Sequence, residues 1–552
     1  MSAAGPDAYS SFPAYPFRRP PELDGRGGHV PVAIAGGGPV GLTLALALAR
    51  HGVKSVVIEP RHRVSFGSRA ICLSRRSLEH WERIGVAEAA LAKGLAWTGG
   101  VSFWREHEVF RLAMPHDADQ KHPPMINLQQ NWQEQILVDA ALARPEIDLR
   151  WHSEIVGLDA SGDGARLRVK TPEGEHGLAA DWLVACDGAR SFARQSLGLA
   201  LEGTSYEGRY LIADIALKSN HPTERRCWFD PPSNPGSTVL MHRQPDDIWR
   251  IDYQLGDDED AEAELAPERV KSRIEAHLAM IGEMAPWRLI WSSLYKAHCL
   301  TLPRYAHGRV LFAGDAAHLV PIFGVRGLNS GIDDAANLAW KLAAVLAGTG
   351  PPGLLDSYSS ERVFAAHENI AQARMSTLFM TPPSAGHALM REAALSLAVR
   401  HDFARPLVNP RQTTAIAFPD SPLSTPDRDR WLNGPPPGAT LPNGPVTLRR
   451  GNQAKPGHLL DAIGLRPVLY WFADTGPPPR APLPFDLVPI GGSTGPGLSL
   501  EDHAGRVRSL LDAAPGAAYL VRPDGHVAAR FRRPEGAEVA AALRRLYGRG
   551  TA

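Results

Sequence analysis

VPVAIAGGGPVGLTLALALARHGVKSVVIEP, residues 30–60, decides the fold. An apolar run, VAIA, meets a glycine turn. An apolar helical pattern, LTLALALA, follows, and a second apolar run ends at Glu59. Period and punctuation together read as strand, turn, helix, strand, the opening of an α/β domain with a parallel sheet. Gly36, Gly38 and Gly41 are spaced GxGxxG. In that pattern the first glycine permits the tight turn, the second lets backbone approach a pyrophosphate, and the third lets helix and strand pack closely. The helix N-terminus then faces the phosphates. A carboxylate at Glu59 can accept from a ribose and would repel a 2′-phosphate. The unit therefore points to an adenine dinucleotide and leaves NAD and FAD undivided.

The rest of the chain sets the context. At 552 residues it is long enough for three to four domains, and 44% apolar with 21% charged residues is ordinary for a globular enzyme. Lysine plus arginine (59) equals aspartate plus glutamate (59), so no basic excess points to nucleic acid or an anionic membrane. The four cysteines, Cys72, Cys186, Cys227 and Cys299, form no CxxC pair. A reducing, cytoplasmic setting is expected, with neither a disulfide framework nor a structural zinc. No histidine pattern reads as a metal site. No run is long enough for a membrane span, and no apolar core follows Arg18 and Arg19 to make a signal peptide. Residues 10–29, SSFPAYPFRRPPELDGRGGH, read as an arm, either disordered or packed by its aromatics.

Two further stretches separate FAD from NAD. WLVACDGARSFARQSLGL, residues 182–199, is a strand, then Asp187-Gly188, then a helix opened by Ser191 with Arg194 in its first turn. LFAGDAAHLVPIFGVRGLNSGIDDAANLAWKL, residues 311–342, is a strand ending in Gly314-Asp315, a glycine-bearing loop and a helix. With the first loop, these residues resemble the fingerprints of the class A flavoprotein aromatic hydroxylases, the superfamily of para-hydroxybenzoate hydroxylase. The branch most similar is that of the 3-(3-hydroxyphenyl)propionate hydroxylase-like monooxygenases. The resemblance covers about residues 30–375. YLVRPDGHVAARF, residues 519–531, also looks like the close of that branch's thioredoxin-like C-terminal domain.

The resemblance implies FAD, held at its ADP half by Gly36, Gly38, Pro39, Val40, Gly41, Glu59, Pro60 and Arg61. Arg69 would lie near the flavin and its phosphates. Gln130, four before Glu134, would touch the ribityl chain or pyrophosphate, as would Gly314-Asp315. Asp187, Gly188 and Arg194 resemble the motif tied to FAD and NAD(P)H. Pro321, Gly327, Leu328 and Asn329 would meet the flavin ring, where a helix N-terminus stabilises the reduced, anionic ring. No second GxGxxG unit is present for NADH or NADPH, which fits a family whose nicotinamide co-substrate binds transiently. The implied reaction hydroxylates a phenolic or other electron-rich ring with NAD(P)H and O2 through a flavin C4a-hydroperoxide. A polyketide-tailoring hydroxylase and a flavin oxidase or dehydrogenase stand as alternatives.

Substrate residues are sought in the aromatic-rich segment Tyr206–Tyr253. His242, Asp252 and Tyr253 are candidates to remove a phenol proton. His242 also reads as a satisfied histidine, and Asp252 as the salt-bridge partner of Arg250. Trp228, Trp249, Pro321 and Phe323 are candidates to line the pocket, though such aromatics also serve as core. His318 reads as a support of its turn. Where many relatives carry GQG, this chain has Gly324-Val325-Arg326-Gly327.

The expected fold is therefore α/β. Residues 1–29 form an arm, and 30–200 form the first part of a Rossmann-like FAD-binding domain. Residues 201–300 form an inserted, mixed β-sheet substrate domain. Residues 301–380 return to the FAD domain, 381–439 are linker helices and loops, and 440–552 form the thioredoxin-like domain. That last domain has no cysteine, so it cannot perform dithiol chemistry, and a structural or oligomeric role is expected. A homodimer is compatible with this plan.

Overall fold

The computed structural model describes residue 9 and residues 11–549, except 68, 161, 257, 322, 409–411, 474–477 and 493–496. Parts of the proline- and glycine-rich clusters near 475 and 493 thus lie outside the described residues.

The quoted stretch forms strand His29–Ala35, helix Pro39–Arg50 and strand Ser55–Ile58. Strand His29–Ala35 is central in its sheet. It pairs parallel with Ser55–Ile58 on one side and with Gly174–Ala185 on the other, and the latter pairs parallel with Val310–Phe312. Ala35 registers with Ala185, and Ala185 with Phe312. Three strands far apart in sequence therefore end at one level, and their loops, at Gly36, Asp187 and Gly314, emerge side by side. In a parallel sheet that edge is where ligands bind.

A second sheet holds strands Glu202–Leu217, Arg225–Phe229, Thr238–Gln244, Ile248–Gln254 and Trp287–Thr301. The hairpin Gly99–Ala113 also joins it, through parallel pairing of Gly99–Trp104 with Arg225–Phe229. The second sheet thus draws on part of the segment assigned to the first domain by sequence. The arm packs by its aromatics. Tyr9 donates to Asp214 at 2.6 Å, Phe12 is buried in the first core, and Tyr15 stacks on Trp151 at 4.8 Å.

The C-terminal part forms a seven-stranded sheet closed by the hairpin Ala518–Phe531. Gly525 takes φ 86°, as a tight turn requires. This hairpin reaches into the FAD-binding half. Arg522, wholly buried, donates to Glu361 at 2.6 and 2.8 Å and to Asp524 at 3.0 Å. Lys341 Nζ also reaches Glu361, at 2.7 Å, and Trp340 Nε1 reaches Asp524, at 3.1 Å. Burial alone would raise the Glu361 carboxyl, but Arg522 and Lys341 outweigh it and hold it well below the usual range.

Removing one partner from such a buried set leaves an uncompensated charge. Arg522→Met should cost about 3–5 kcal/mol of stability by chemical denaturation. Arg522→Lys, which keeps the charge but loses the fork, should fall between. A loss below about 1 kcal/mol for Arg522→Met would contradict the role given to this pair.

Candidate active site

At the first loop each glycine meets a different constraint. Gly36 has φ 101°, and a Cβ there would lie 2.5 Å from Cys186 O. A Cβ at Gly41 would lie 2.1 Å from Gly36 O. A Cβ at Gly38 would meet nothing within 4 Å. Two glycines are thus required by the fold, and the middle one keeps a space clear in front of the helix N-terminus. That is the cradle a pyrophosphate needs. Gly314 (φ 62°) and Gly331 both give way to Val40, whose Cγ2 would lie 3.0 and 2.6 Å from a Cβ at each. Val40 thus packs the first loop against the third.

Glu59 is buried and accepts from Gly37 N at 2.7 Å and from Arg61 N and Nε at 3.0 and 2.7 Å. Arg61 extends toward Glu134, at 3.3 Å. Burial would lower the Arg61 guanidinium, but Glu59 and Glu134 raise it above its ordinary range. Glu134 accepts from Ser65 N at 2.6 Å and from Gln130 Nε2 at 2.9 Å. The Gln-x-x-x-Glu pair therefore fastens the segment after Glu59. Pro60 and Arg69 are exposed beside it, and Arg69 O accepts from Arg250 at 2.9 Å.

Asp187 Oδ2 accepts from Ala193 N at 3.2 Å, while its Oδ1 is buried without a partner among the described residues. Gly188 takes φ 79° in that turn. Arg194 donates to Ala189 O at 2.5 Å and to Ala316 O at 2.9 Å. It therefore pins the second loop to the third. Asp315 stays open to solvent in a crowded setting; desolvation raises its carboxyl against the pull of His318 and Arg69.

Beneath it lies Asp334, a residue that sequence reasoning missed. Asp334 accepts from Gly314 N at 2.9 Å, His318 Nε2 at 2.7 Å and Arg362 Nε at 2.6 Å. Burial would raise its carboxyl, but Arg362 and His318 win and lower it. His318 is fully buried and supports the turn. Pro321 is buried between that turn and Phe323.

The helix after the loop runs Gly327–Leu346, starting five residues before the apolar pattern at Ile332. Its first-turn N–H groups, from Gly327, Leu328 and Asn329, have no partner inside the helix. The Asn329 side chain accepts from Ser74 N at 2.9 Å and donates to Cys72 O at 3.1 Å and Val325 O at 2.6 Å. It holds Val325 at φ 54° and ties the helix to strand Cys72–Ser74. Arg326 turns inward. It is buried, with Nη1 on Asn369 and Nη2 on Gln412 O, both at 3.2 Å, and burial lowers its guanidinium to about 10.

The inserted sheet sorts its candidates by face. Trp228, Trp249 and Tyr253 lie buried in a core cluster. They pack with Val270 and Ile274 of helix Pro267–Met280, and the Tyr253 hydroxyl donates to Arg273 O at 3.1 Å. Period two explains it: Tyr253 and Asp252 are neighbours and must point to opposite sides. His242, Arg250 and Asp252 share the other face with Cys227 and Phe229, which pack against Phe323. Burial, reinforced by Arg225 and Arg250, lowers the His242 imidazole well below its usual range. Burial raises the Asp252 carboxyl to about 6 against the pull of Arg250. Arg250 grips Asp214 at 2.8 and 2.8 Å, so the expected Arg250–Asp252 bridge gives way to another pair.

The pattern described as "FAD binding domain" matches residues 29–373. This chain belongs to that family of flavoprotein monooxygenases. It is 30% identical over 547 residues to 6-methylpretetramide 4-monooxygenase of Streptomyces rimosus, covering 96% of this chain and 95% of that one. It is 30% identical over 371 residues to a 3-(3-hydroxy-phenyl)propionate/3-hydroxycinnamic acid hydroxylase of Mycolicibacterium smegmatis, with 66% and 64% covered. Among solved structures, the flavin-dependent monooxygenase PieE shares the fold at TM-score 0.77 and 24% identity, over 95% of this chain and 99% of that one. Aklavinone-11 hydroxylase shares it at 0.74 and 24%, over 94% and 99%. FAD is the cofactor, and the open space at Gly38 fits it.

The glycines give a test. Gly38→Ala should leave the thermal stability of the FAD-free protein within about 0.5 kcal/mol of the parent. It should weaken FAD binding at least about tenfold by flavin fluorescence titration, since a methyl would enter the phosphate cradle. Gly41→Ala should instead impair folding itself. Unchanged FAD affinity in Gly38→Ala would remove the cradle from this loop.

Proposed function

We propose that this flavoprotein monooxygenase hydroxylates a polycyclic aromatic substrate of the polyketide kind, using NAD(P)H and O2. One observation carries the choice over a single-ring phenol. A cleft of about 1000 Å³ opens beside Asn329. Ser74, Met114, Met125, Arg326, Ile416 and Leu441 are among the residues that border it. That volume lies at the upper end of the roughly 300–1,000 Å³ that ligand sites commonly span, and it exceeds what one ring fills. The full-length match to 6-methylpretetramide 4-monooxygenase agrees with it.

Bound FAD supplies the activation of O2 by electrons from the nicotinamide. The chain supplies the rest. Gly36, Gly38, Gly41 and the Asp315 turn hold the cofactor. Buried Pro321 and Phe323 keep water from the reacting edge. Asp252 is the proton acceptor for the ring hydroxyl. It faces the flavin side, its Oδ1 has no partner among the described residues, and a carboxyl at about 6 is ionised at neutral pH yet basic enough to take a proton.

The substrate reading is tested with the FAD-loaded protein, aklavinone as a tetracyclic probe, and 3-(3-hydroxyphenyl)propionate as a one-ring probe. NAD(P)H oxidation should be stimulated by the tetracycle, with one atom from labelled O2 appearing in the product by mass spectrometry. Coupled hydroxylation of the one-ring acid alone would overturn the reading.

Asp252 makes a second, pH-based prediction. Folding raises its carboxyl from 3.8 to about 6. Its contribution to stability is therefore fully present below about pH 4 and lost as the pH climbs through 6. Relative to Asp252→Asn, the parent should lose stability on the order of 3 kcal/mol across that window, measured by denaturation at each pH. Turnover should fall below pH 6 in the parent and lose that acid limb, at a much lower rate, in Asp252→Asn. A parallel pH course in both proteins would exclude Asp252 as the base.

A further inference from the structure

Arg225 has no role in the chemistry above. It opens strand Arg225–Phe229 and is 6% exposed. Its Nε and Nη1 are buried and meet no hydrogen-bond partner among the described residues. The carboxylates around it are otherwise engaged or unbonded. Asp214 is held by Arg250 on both oxygens, Arg105 reaches Asp230 at 2.9 Å, and Asp252 Oδ1 is without a partner. The neighbouring Cys227 is no counter-ion either. Burial pushes its thiol up to about 12, against the pull of Arg225. A guanidinium kept from water with unmet N–H groups is costly, and an incoming anion removes that cost.

The place where an anion would arrive is formed. Arg225 lines a recess of about 90 Å³, open on one side, with Ser102, Cys227, Phe229, Phe323 and Phe379. The aromatic rings leave Arg225 as the recess's charged group. Phe323 belongs to the loop after Asp315, so the recess abuts the flavin turn.

We infer that Arg225 anchors an ionised oxygen, a carboxylate or an acidic enol, on an aromatic ligand bound in this recess. The ligand's ring system lies among Phe229, Phe323 and Phe379, and its charged edge meets the free N–H groups of Arg225. A charge-assisted hydrogen bond in a dry site gives an arginine this selectivity, and a lysine reproduces only part of it. Taking that ligand as the substrate rests on the function proposed above; binding at the recess does not.

The experiment uses the oxidised, FAD-loaded protein without nicotinamide, and reads binding by calorimetry. Two matched pairs serve as probes: 2-naphthoate against 2-naphthamide, and 2-hydroxy-1,4-naphthoquinone, ionised at neutral pH, against its 2-methoxy ether. At least one anion should bind about tenfold or more tightly than its neutral partner. The pair showing the preference names the group. Arg225→Met should reduce the preference to near unity, and Arg225→Lys should keep part of it. Equal binding of both members of both pairs, binding of neither anion, or an undiminished preference in Arg225→Met overturns the assignment. Should Arg225→Met fail to take up FAD, Arg225→Lys carries the test, and an undiminished preference there overturns it. No turnover is involved, so failure here leaves the hydroxylation reading standing. Failure to hydroxylate with the anion preference intact removes only that reading.

Discussion

Asp334 is the point on which the site hangs. A carboxylate removed from water survives only if its charge is met and its lone pairs are filled. Asp334 meets that demand with Gly314 N, His318 and Arg362. In doing so it fixes the turn that carries Asp315. The demand then passes along the chain. Arg362 adjoins Glu361 on helix Leu354–Met380, and Glu361 takes Arg522 from the C-terminal hairpin. One set of buried charges thus runs from the third loop to the last sheet. It makes the C-terminal part a support of the site rather than an appendage, because moving the hairpin would strand Glu361.

The same economy of partners governs the inserted sheet. Its two faces are set by a period of two, and they carry opposite chemistry. One face is oily and closed under helix Pro267–Met280. The other carries Arg225, His242, Arg250 and Asp252 toward the flavin turn. Arg250 is satisfied by Asp214, and Tyr9 from the arm completes that pair. Asp252 and Arg225 are left with unmet polar atoms. His242 Nδ1, on the same face, is unmet as well, so the unmet polar atoms of this sheet gather toward the flavin turn.

Much of this was legible in the sequence, for reasons that differ by element. The three glycine loops were readable because close backbone approach forces their residues: only glycine fits Gly36 beside Cys186 O and Gly41 beside Gly36 O. Helix starts and the C-terminal hairpin carry local signals of the same sort. Asp334 was not readable. It sits in a helical Asp-Asp pair that looks like any solvated face, and its partners come from residues 314, 318 and 362. Trp228, Trp249 and Tyr253, readable as pocket or as core, were left open for a related reason. Alternation separates two faces, but nothing local says which face meets the cofactor. Arg326 turned inward because Asn369 and Gln412 O await it, and no motif records them.

The C-terminal part also walls the large cleft. It lacks cysteine, so redox chemistry cannot be its purpose. Its segment Thr440–Asn443 instead walls the large cleft, opposite Ser74 and Asn329. The linker from Gln412 to Pro419 forms the wall between. Removing this part would do two things at once: expose Glu361 and unroof the cleft. A one-ring substrate held in the recess beside Phe323 would need no such roof. A long, fused-ring substrate would, because its far rings must be kept from water while one edge reaches the flavin turn. On the function proposed above, the buried ion pairs that hold the roof in place would also help to select the substrate's size.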